Sequence, residues 1–345
     1  MTVSTFNYFA LFTATFAIVG FLTPLVRRFA INNDIYDKPN SAHKTHKEPV
    51  PYLGGVAIMI GTIAVSYTTA IYKNLSKDNL LLMTSVLAPA LLLGLIGLWD
   101  DIKNLSPAPR FALQTVAGVF TAWVMIAFNT VGNPTGSKVI DAVITIFWIV
   151  GICNSINFFD NLDGGAAGTV AVSSLALFFL GFEGKQYLIS ALAAVSAGAM
   201  FGFLIWNKSP ARIYMGDAGA LFIGILIATL TIRLKPNAET EWTSLATPVL
   251  LLAVPILDTS VAVISRLRRG VSPFQGGHDH LSHRLVRSGM QRKTAAISLW
   301  ALSGLFALMA IAITYTNKAT EQLIAAIGVI IWITLFTKFI NTEDK

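Results

Sequence analysis

Eleven times along its 345 residues this sequence runs apolar for about the length of a membrane crossing. A spanning helix needs roughly 20 predominantly apolar residues, and the runs fall near 6–26, 54–71, 80–99, 111–128, 139–153, 165–182, 188–206, 218–232, 244–264, 294–315 and 323–337. Inside lipid a backbone must satisfy its own polar groups, which leaves helices and closed barrels. Barrel strands alternate apolar and polar residues, and these runs do not, so the expected fold is an all-α integral membrane bundle of about eleven transmembrane helices. With 54% hydrophobic and only 12% charged residues, the chain reads as a single polytopic domain, 1–345, without a sizeable extramembrane part. The run at 139–153 is short and contains Asp141, and 154–159 extends it; Phe339 and Ile340 extend the last run in the same way. The first 26 residues carry no Lys or Arg, so the first run reads as a retained span and not as a cleavable signal. Cys153 is the one cysteine, which excludes a disulfide scaffold.

Orientation follows from the basic residues in alternate loops. Loops after odd-numbered spans, with the C-terminal tail, hold 18 of the 25 Lys and Arg, and the other loops hold 7. The expected topology therefore places the N-terminus outside and the C-terminus in the cytoplasm. The net charge of +7 is accounted for by this bias, so nucleic acid is not implied and the lipid bilayer is the expected partner.

Given that topology, the chemically interesting side chains collect on the cytoplasmic face. GLWDD ends a span in Asp100 and Asp101. Successive helical residues point about 100° apart, so one carboxylate is expected to act directly and the other to support it; the plainer reading is that both are simply the first solvated residues. In NSINFFDNLDGGAAG, Asn157, Asp160 and Asp163 share a face if the run is helical. The small residues from Gly164 to Gly168 then admit a ligand at the next helix start, where backbone N–H groups favour an anion; an ordinary capped turn is the alternative. YMGDAGALFIG places Asp217 before another inward-facing helix, where it is either functional or a plain N-cap. The loop RLRRGVSPFQGGHDHLSHRLV carries His278, His280, His283 and Arg284. The imidazoles suit phosphate or a metal and Arg284 suits phosphate, whereas Arg266, Arg268 and Arg269 satisfy the positive-inside rule by themselves. A structural zinc site on the three His would need carboxylate help. Carboxylates for a divalent cation beside a basic, His-containing loop are what phosphoryl transfer requires. Asp258 lies inside the ninth span and must pair with something; with Pro248 and Pro255 near it, an irregular helix lining a cavity is expected, which alone would suit a transporter.

The ordered runs HKEPVPYLGG, GLWDD, NFFDNLDG, YMGDAGALFIG, PILD and SPFQGGHDHLSHRL resemble the signature motifs of the polyprenyl-phosphate N-acetylhexosamine-1-phosphate transferases (glycosyltransferase family 4). The Asp37 to Asn40 run, SPFQ and the HLxHRL form resemble the bacterial N-acetylglucosamine-1-phosphate branch, which starts O-antigen, enterobacterial common antigen or wall teichoic acid. The phospho-MurNAc-pentapeptide branch typically shows three consecutive His before Phe-Glu, absent here. The resemblance implies that undecaprenyl phosphate, or a similar polyprenyl phosphate, attacks the β-phosphorus of a UDP-N-acetylhexosamine and releases UMP. It implies Mg²⁺ or Mn²⁺, a site on the cytoplasmic side of the bacterial inner membrane, and leaves room for a homodimer. By motif position, Asp217 would be the principal metal ligand with Asn157 beside it. Asp160 and Asp163 would lie at the uridine and diphosphate pocket, and Asp100 and Asp101 would position or deprotonate the acceptor. His280, His283 and Arg284 would steady the diphosphate. Two departures stand out: Ser282 where many relatives of this branch have His, and Tyr52 where a basic residue is frequent, with Lys44, His46 and Lys47 nearby as substitutes. A transporter built on Asp258 and a non-catalytic scaffold are the competing classes. The first predicts polar residues through several spans, and the second leaves the four motif carboxylates Asp100, Asp160, Asp163 and Asp217 without purpose.

Overall fold

A computed structural model describes residues 5–37, 49–103, 107–128, 135, 137–273 and 277–342. Among them the chain forms α1 (Thr5–Asn32), α2 (Gly54–Tyr72), α3 (Lys77–Lys103), α4 (Pro107–Ala127), α5 (Lys138–Phe159), α6 (Gly165–Glu183) and α7 (Tyr187–Asn207). These are followed by α8 (Gly216–Arg233), α9 (Glu241–Leu251), α10 (Ala253–Arg268), α11 (Leu281–Arg287), α12 (Arg292–Ile313) and α13 (Lys318–Ile340). Two short strands, β1 (Tyr36–Asp37) and β2 (Val50–Pro51), pair antiparallel. The motif residues Lys44, His46 and Lys47, with Lys38 to Asn40 and Phe274 to Gly276, lie outside the described residues.

Every expected span coincides with helix. Nine described helices are long and apolar enough to cross a membrane, and α9 and α10 pass the same test together as a pair bent by 74° at the break between them. α4 supplies the shorter apolar helix, over Phe111–Ala127. The short fifth run does extend, because α5 continues to Phe159; at its other end Asp141 is buried and accepts from the Thr135 hydroxyl at 2.8 Å. The ninth run is the one that is not a straight helix. Pro248 lies inside α9 and Pro255 in the first turn of α10, where the missing N–H groups weaken the helix ladder. From α13 the Trp332 indole donates to the Ala253 carbonyl beside the break at 3.1 Å.

α8 is the enclosed centre of the bundle, buried continuously from Ala218 to Thr231, while α13 buries few residues. Lipid tails are as apolar as leucine, so helices in a membrane associate through close packing and small residues. The α3–α8 contact depends on this. A Cβ on Gly97 of α3 would lie 2.4 Å from the Asp217 carbonyl oxygen of α8, a backbone atom that cannot yield without moving the helix. Gly97→Ala is therefore expected to separate α3 from α8 and lower the melting temperature of the detergent-solubilised protein by several degrees. Unchanged melting would show that the interface is looser than this packing implies.

Candidate active site

The first turn of a helix leaves N–H groups without intrahelical partners, and α8 receives its acceptors from another helix. Asp101, at the end of α3, accepts from the Asp217 N–H at 2.8 Å and from the Ala218 N–H at 3.0 Å, one with each carboxylate oxygen. Asp217 is therefore not the cap of its own helix. Its carboxylate is turned to α5, where the Asn157 amide donates to Oδ1 at 2.7 Å. Asp100 is buried beside this junction. Within GLWDD, Asp101 is therefore the member that supports the start of α8.

The strand segment before α2 braces the same junction. The Tyr52 hydroxyl donates to the Asp101 carbonyl at 2.7 Å. Gly54 and Gly55 donate their N–H groups to the Tyr214 and Met215 carbonyls at 3.0 and 2.8 Å, and the Tyr214 N–H returns a bond to the Pro51 carbonyl at 2.9 Å. Tyr52, found where a basic residue is frequent, is thus a strut between α3 and the approach to Asp217.

The helical stripe expected for Asn157, Asp160 and Asp163 does not form. α5 ends at Phe159, and Asp160 is its C-cap. The Asn161 amide N–H captures the Phe158 carbonyl at 2.7 Å, and Gly164 adopts a left-handed φ of 72°, so the chain turns where a continuing helix would have aligned the three. Asn157 stays with Asp217, Asp160 is half-buried, and Asp163 accepts from the Ala211 N–H at 3.1 Å. Asp163 thereby fastens the loop that leads into α8. Asn207, absent from the sequence expectations, fastens it from the other side: its Oδ1 accepts from the Gly164 N–H at 3.1 Å and its Nδ2 donates to the Ile213 carbonyl at 3.0 Å. The small residues at the start of α6, expected to admit a ligand, admit Trp300 of α12 instead. Its indole donates to the Gly164 carbonyl at 3.0 Å, and a Cβ on Gly168 would fall 2.1 Å from the ring.

The His-containing loop is organised from within the bundle. Asp258, fully buried in α10, lies 2.7 Å from His280 Nδ1 and accepts the Leu281 N–H at 2.7 Å, capping α11. The Nε2 atom of His280 meets Arg266 Nη2 at 3.1 Å. A guanidinium only donates, so Nε2 accepts and Nδ1 carries the proton given to Asp258. With both nitrogens engaged, His280 has no lone pair for zinc, and the zinc alternative fails. Arg266 also donates to Asp279 Oδ2 at 2.8 Å and to the Pro273 carbonyl at 2.7 Å. Its guanidinium lies over the Phe158 ring, 5.7 Å from the centroid, which joins this loop to the residue next to Asn157. Burial alone would raise the Asp279 carboxyl, but the Arg266 hydrogen bond and the Arg269 and Arg266 charges bring it below the ordinary range.

Arg284, expected on phosphate, faces inward. It is 1% exposed and donates to the Asp279 carbonyl at 2.8 Å, the Phe339 and Thr342 carbonyls at 2.8 and 2.5 Å, and Ser265 Oγ at 2.7 Å. It clamps the end of α13 to the His loop, a role that the positive charge alone could not announce. Ser282 bonds Asn161 of the NFFDNLDG turn and lies 3.2 Å from His283 Nδ1. His283 is half-buried, and burial first, then neighbouring charges that include Arg287 and Arg292, hold its pKa down to about 3.

Burial, followed by the charges of Asp217 and Asp163, pushes the Asp160 carboxyl up to about 7. Among the described residues no three acidic, His or Cys side chains converge into a self-sufficient cation cage. Mg²⁺ commonly keeps waters and takes one or two carboxylates together with substrate phosphates, and the Asp217 carboxylate with the Asn157 amide beside it at 2.7 Å is the pair that could hold such an ion. Because the folded state binds the Asp160 proton more tightly than the unfolded chain, stability without a cation falls as pH rises from 3.8 towards about 7. Asp160→Asn is expected to flatten this part of the melting profile in EDTA; a profile as steep as the wild type would assign the slope elsewhere.

The profile of glycosyl transferase family 4 matches residues 83–235, from α3 through the end of α8. Over 334 residues the chain is 29% identical to a probable undecaprenyl-phosphate N-acetylglucosaminyl 1-phosphate transferase of Bacillus subtilis, covering 95% of this chain and 87% of the relative. It is 30% identical over 339 residues to the decaprenyl-phosphate N-acetylglucosaminephosphotransferase of Mycobacterium tuberculosis, covering 89% and 83%. A phospho-N-acetylmuramoyl-pentapeptide-transferase of Streptococcus uberis is 28% identical over 297 residues, covering 78% and 86%.

Proposed function

Because this chain belongs to the polyprenyl-phosphate N-acetylhexosamine-1-phosphate transferase family, we propose that it transfers N-acetylglucosamine 1-phosphate from UDP-N-acetylglucosamine to undecaprenyl phosphate, releasing UMP. The observation that carries the reading is the α3–α5–α8 junction: Asp101 fixes the first turn of α8, and that turn directs the Asp217 carboxylate to Asn157. The whole chain acts as one unit at the bacterial inner membrane, with this end of the bundle in the cytoplasm as the Lys and Arg bias requires. The product would start a cell-envelope polysaccharide.

Asp217, with Asn157, would hold the Mg²⁺ or Mn²⁺ ion. Once bound, such an ion lowers the charge on the diphosphate and favours attack at phosphorus. Asp160 would keep the nucleotide side of the pocket acidic. Asp163 would hold the 208–215 segment in place as the pocket wall. Both Asp101 oxygens are committed to α8, so we assign to Asp100 the positioning of the acceptor phosphate. A phosphate monoester is already anionic at neutral pH, and orientation is the larger part of that task. The His280–His283 segment would close over the nucleotide sugar, braced by Asp258, Arg266 and Arg284. Asp258 serves this bracing, which removes the reason to read it as a transport residue.

The test is product analysis with purified protein, undecaprenyl phosphate and Mg²⁺, offering UDP-N-acetylglucosamine or UDP-MurNAc-pentapeptide. Lipid-diphosphate N-acetylglucosamine from the first donor alone supports the reading. Product from the pentapeptide donor alone would keep the reaction and overturn the substrate.

A further inference from the structure

Three side chains in a row leave His283 only one hydrogen-bonding arrangement. Asn161 Nδ2 donates to the Phe158 carbonyl at 2.7 Å, which fixes the amide so that Oδ1 faces Ser282. An amide oxygen cannot donate, so the contact between Asn161 Oδ1 and Ser282 Oγ uses the one hydroxyl proton of Ser282. Ser282 Oγ can then only accept from His283 Nδ1, 3.2 Å away. Nδ1 carries the proton, and the lone pair of the neutral ring lies at Nε2. Ser282 is 2% exposed, so water does not compete for these bonds. His278 and His280 lie with ring centroids 4.8 and 6.0 Å from that of His283, and the cations Arg287 and Arg292 act on the same ring. Burial and these cations disfavour a second proton, in keeping with the lowered pKa of His283.

We propose that Ser282 is a positioning residue that holds His283 in the Nδ1–H tautomer, so that Nε2 receives a hydrogen bond from an uncharged N–H or O–H donor of the nucleotide sugar. A bare nitrogen lone pair repels phosphate oxygens, so His283 does not serve the diphosphate. It reads a neutral group, on either the uridine or the N-acetylhexosamine. The identity of the ligand rests on the proposed transferase reading; the tautomer does not.

The experiment is nitrogen-15 NMR of histidine-labelled full-length protein in nanodiscs, with the His283 signals assigned by difference from His283→Asn. At neutral pH the wild type is expected to show a protonated Nδ1 and a bare Nε2; a protonated Nε2 or an imidazolium would overturn the proposal. Ser282→Ala is expected to redistribute the tautomers and to raise the KM for UDP-N-acetylglucosamine about threefold to tenfold, the worth of one hydrogen bond, with kcat changed less than about twofold. An unchanged tautomer in this variant would overturn the role of Ser282. Adding UDP with Mg²⁺, without lipid acceptor, tests the nucleoside as source of the donor, and adding UDP-N-acetylglucosamine tests the sugar. Movement of the Nε2 signal with either supports the proposal and identifies the source. A signal that stays still with both, in a sample that releases UMP once undecaprenyl phosphate is added, would overturn the acceptor role and leave the transferase reading intact. A sample without UMP release would count against the transferase reading, and the wild-type tautomer would still decide the Ser282 assignment.

Discussion

Asp217→Asn is expected to lower UMP release by about 10²- to 10³-fold, the scale on which loss of one preorganised charge-stabilising group is felt. The Asn side chain keeps the size and one oxygen but gives up the charge. The Asp217 N–H, which holds the first turn to Asp101, is untouched, so the variant should fold and melt much as the wild type does. Raising Mg²⁺ should not restore the rate, because the missing element is a ligand and not occupancy alone. Wild-type turnover in this variant across a range of Mg²⁺ would remove Asp217 from the ion site. Loss of activity accompanied by a large drop in melting temperature would instead assign it a structural role.

Asp258→Ala is the second large effect and differs in kind. The carboxylate holds His280 Nδ1 and the Leu281 N–H, both at 2.7 Å, from a position of complete burial. Removing one member of a buried, hydrogen-bonded pair costs about 3–5 kcal/mol, because the partner is left without compensation. His280 would lose the acceptor that fixes its tautomer, and Arg266 would lose the lone pair that it donates to. Both the melting temperature and kcat/KM are therefore expected to fall, with kcat/KM down by about 10²-fold or more. Asp258→Asn should recover part of the stability by keeping an acceptor for the Leu281 N–H, but its amide places a donor against the Nδ1 proton unless the ring changes tautomer. A variant of Asp258 with wild-type melting and turnover would show that the His loop is held by other means.

The fold was legible in the sequence to the extent that lipid dictates it. A membrane crossing is a local property of about 20 residues, and every crossing, even the short fifth one, appears as an apolar run. What was not legible depends on contacts between distant segments. Asp101 and Asp217 are joined by a side chain reaching a backbone amide across 116 residues, so neither motif alone distinguishes the capping carboxylate from the one proposed to hold the ion. The NFFDNLDG run has helical spacing, yet Asn161 and Gly164 end the helix, and the turn gives Asp163 and Asn157 different partners. Arg284 looks like a phosphate contact because arginine usually is one in such a loop; only the end of α13, 55 residues later, shows that its donors are engaged. For Asp258 the cost of a buried carboxylate signalled that a partner had to exist, and periodicity could not say that it was His280. Asn207 carried no signal, since a single asparagine at a helix end is commonplace.

The most direct test of the central claim follows the β-phosphorus. Purified protein is given UDP-N-acetylglucosamine labelled at the β-phosphate, together with undecaprenyl phosphate and Mg²⁺, and the label is traced after turnover. The account predicts that the label passes into the lipid diphosphate while unlabelled UMP is released. Label leaving as UDP, with sugar alone on the lipid, would contradict it.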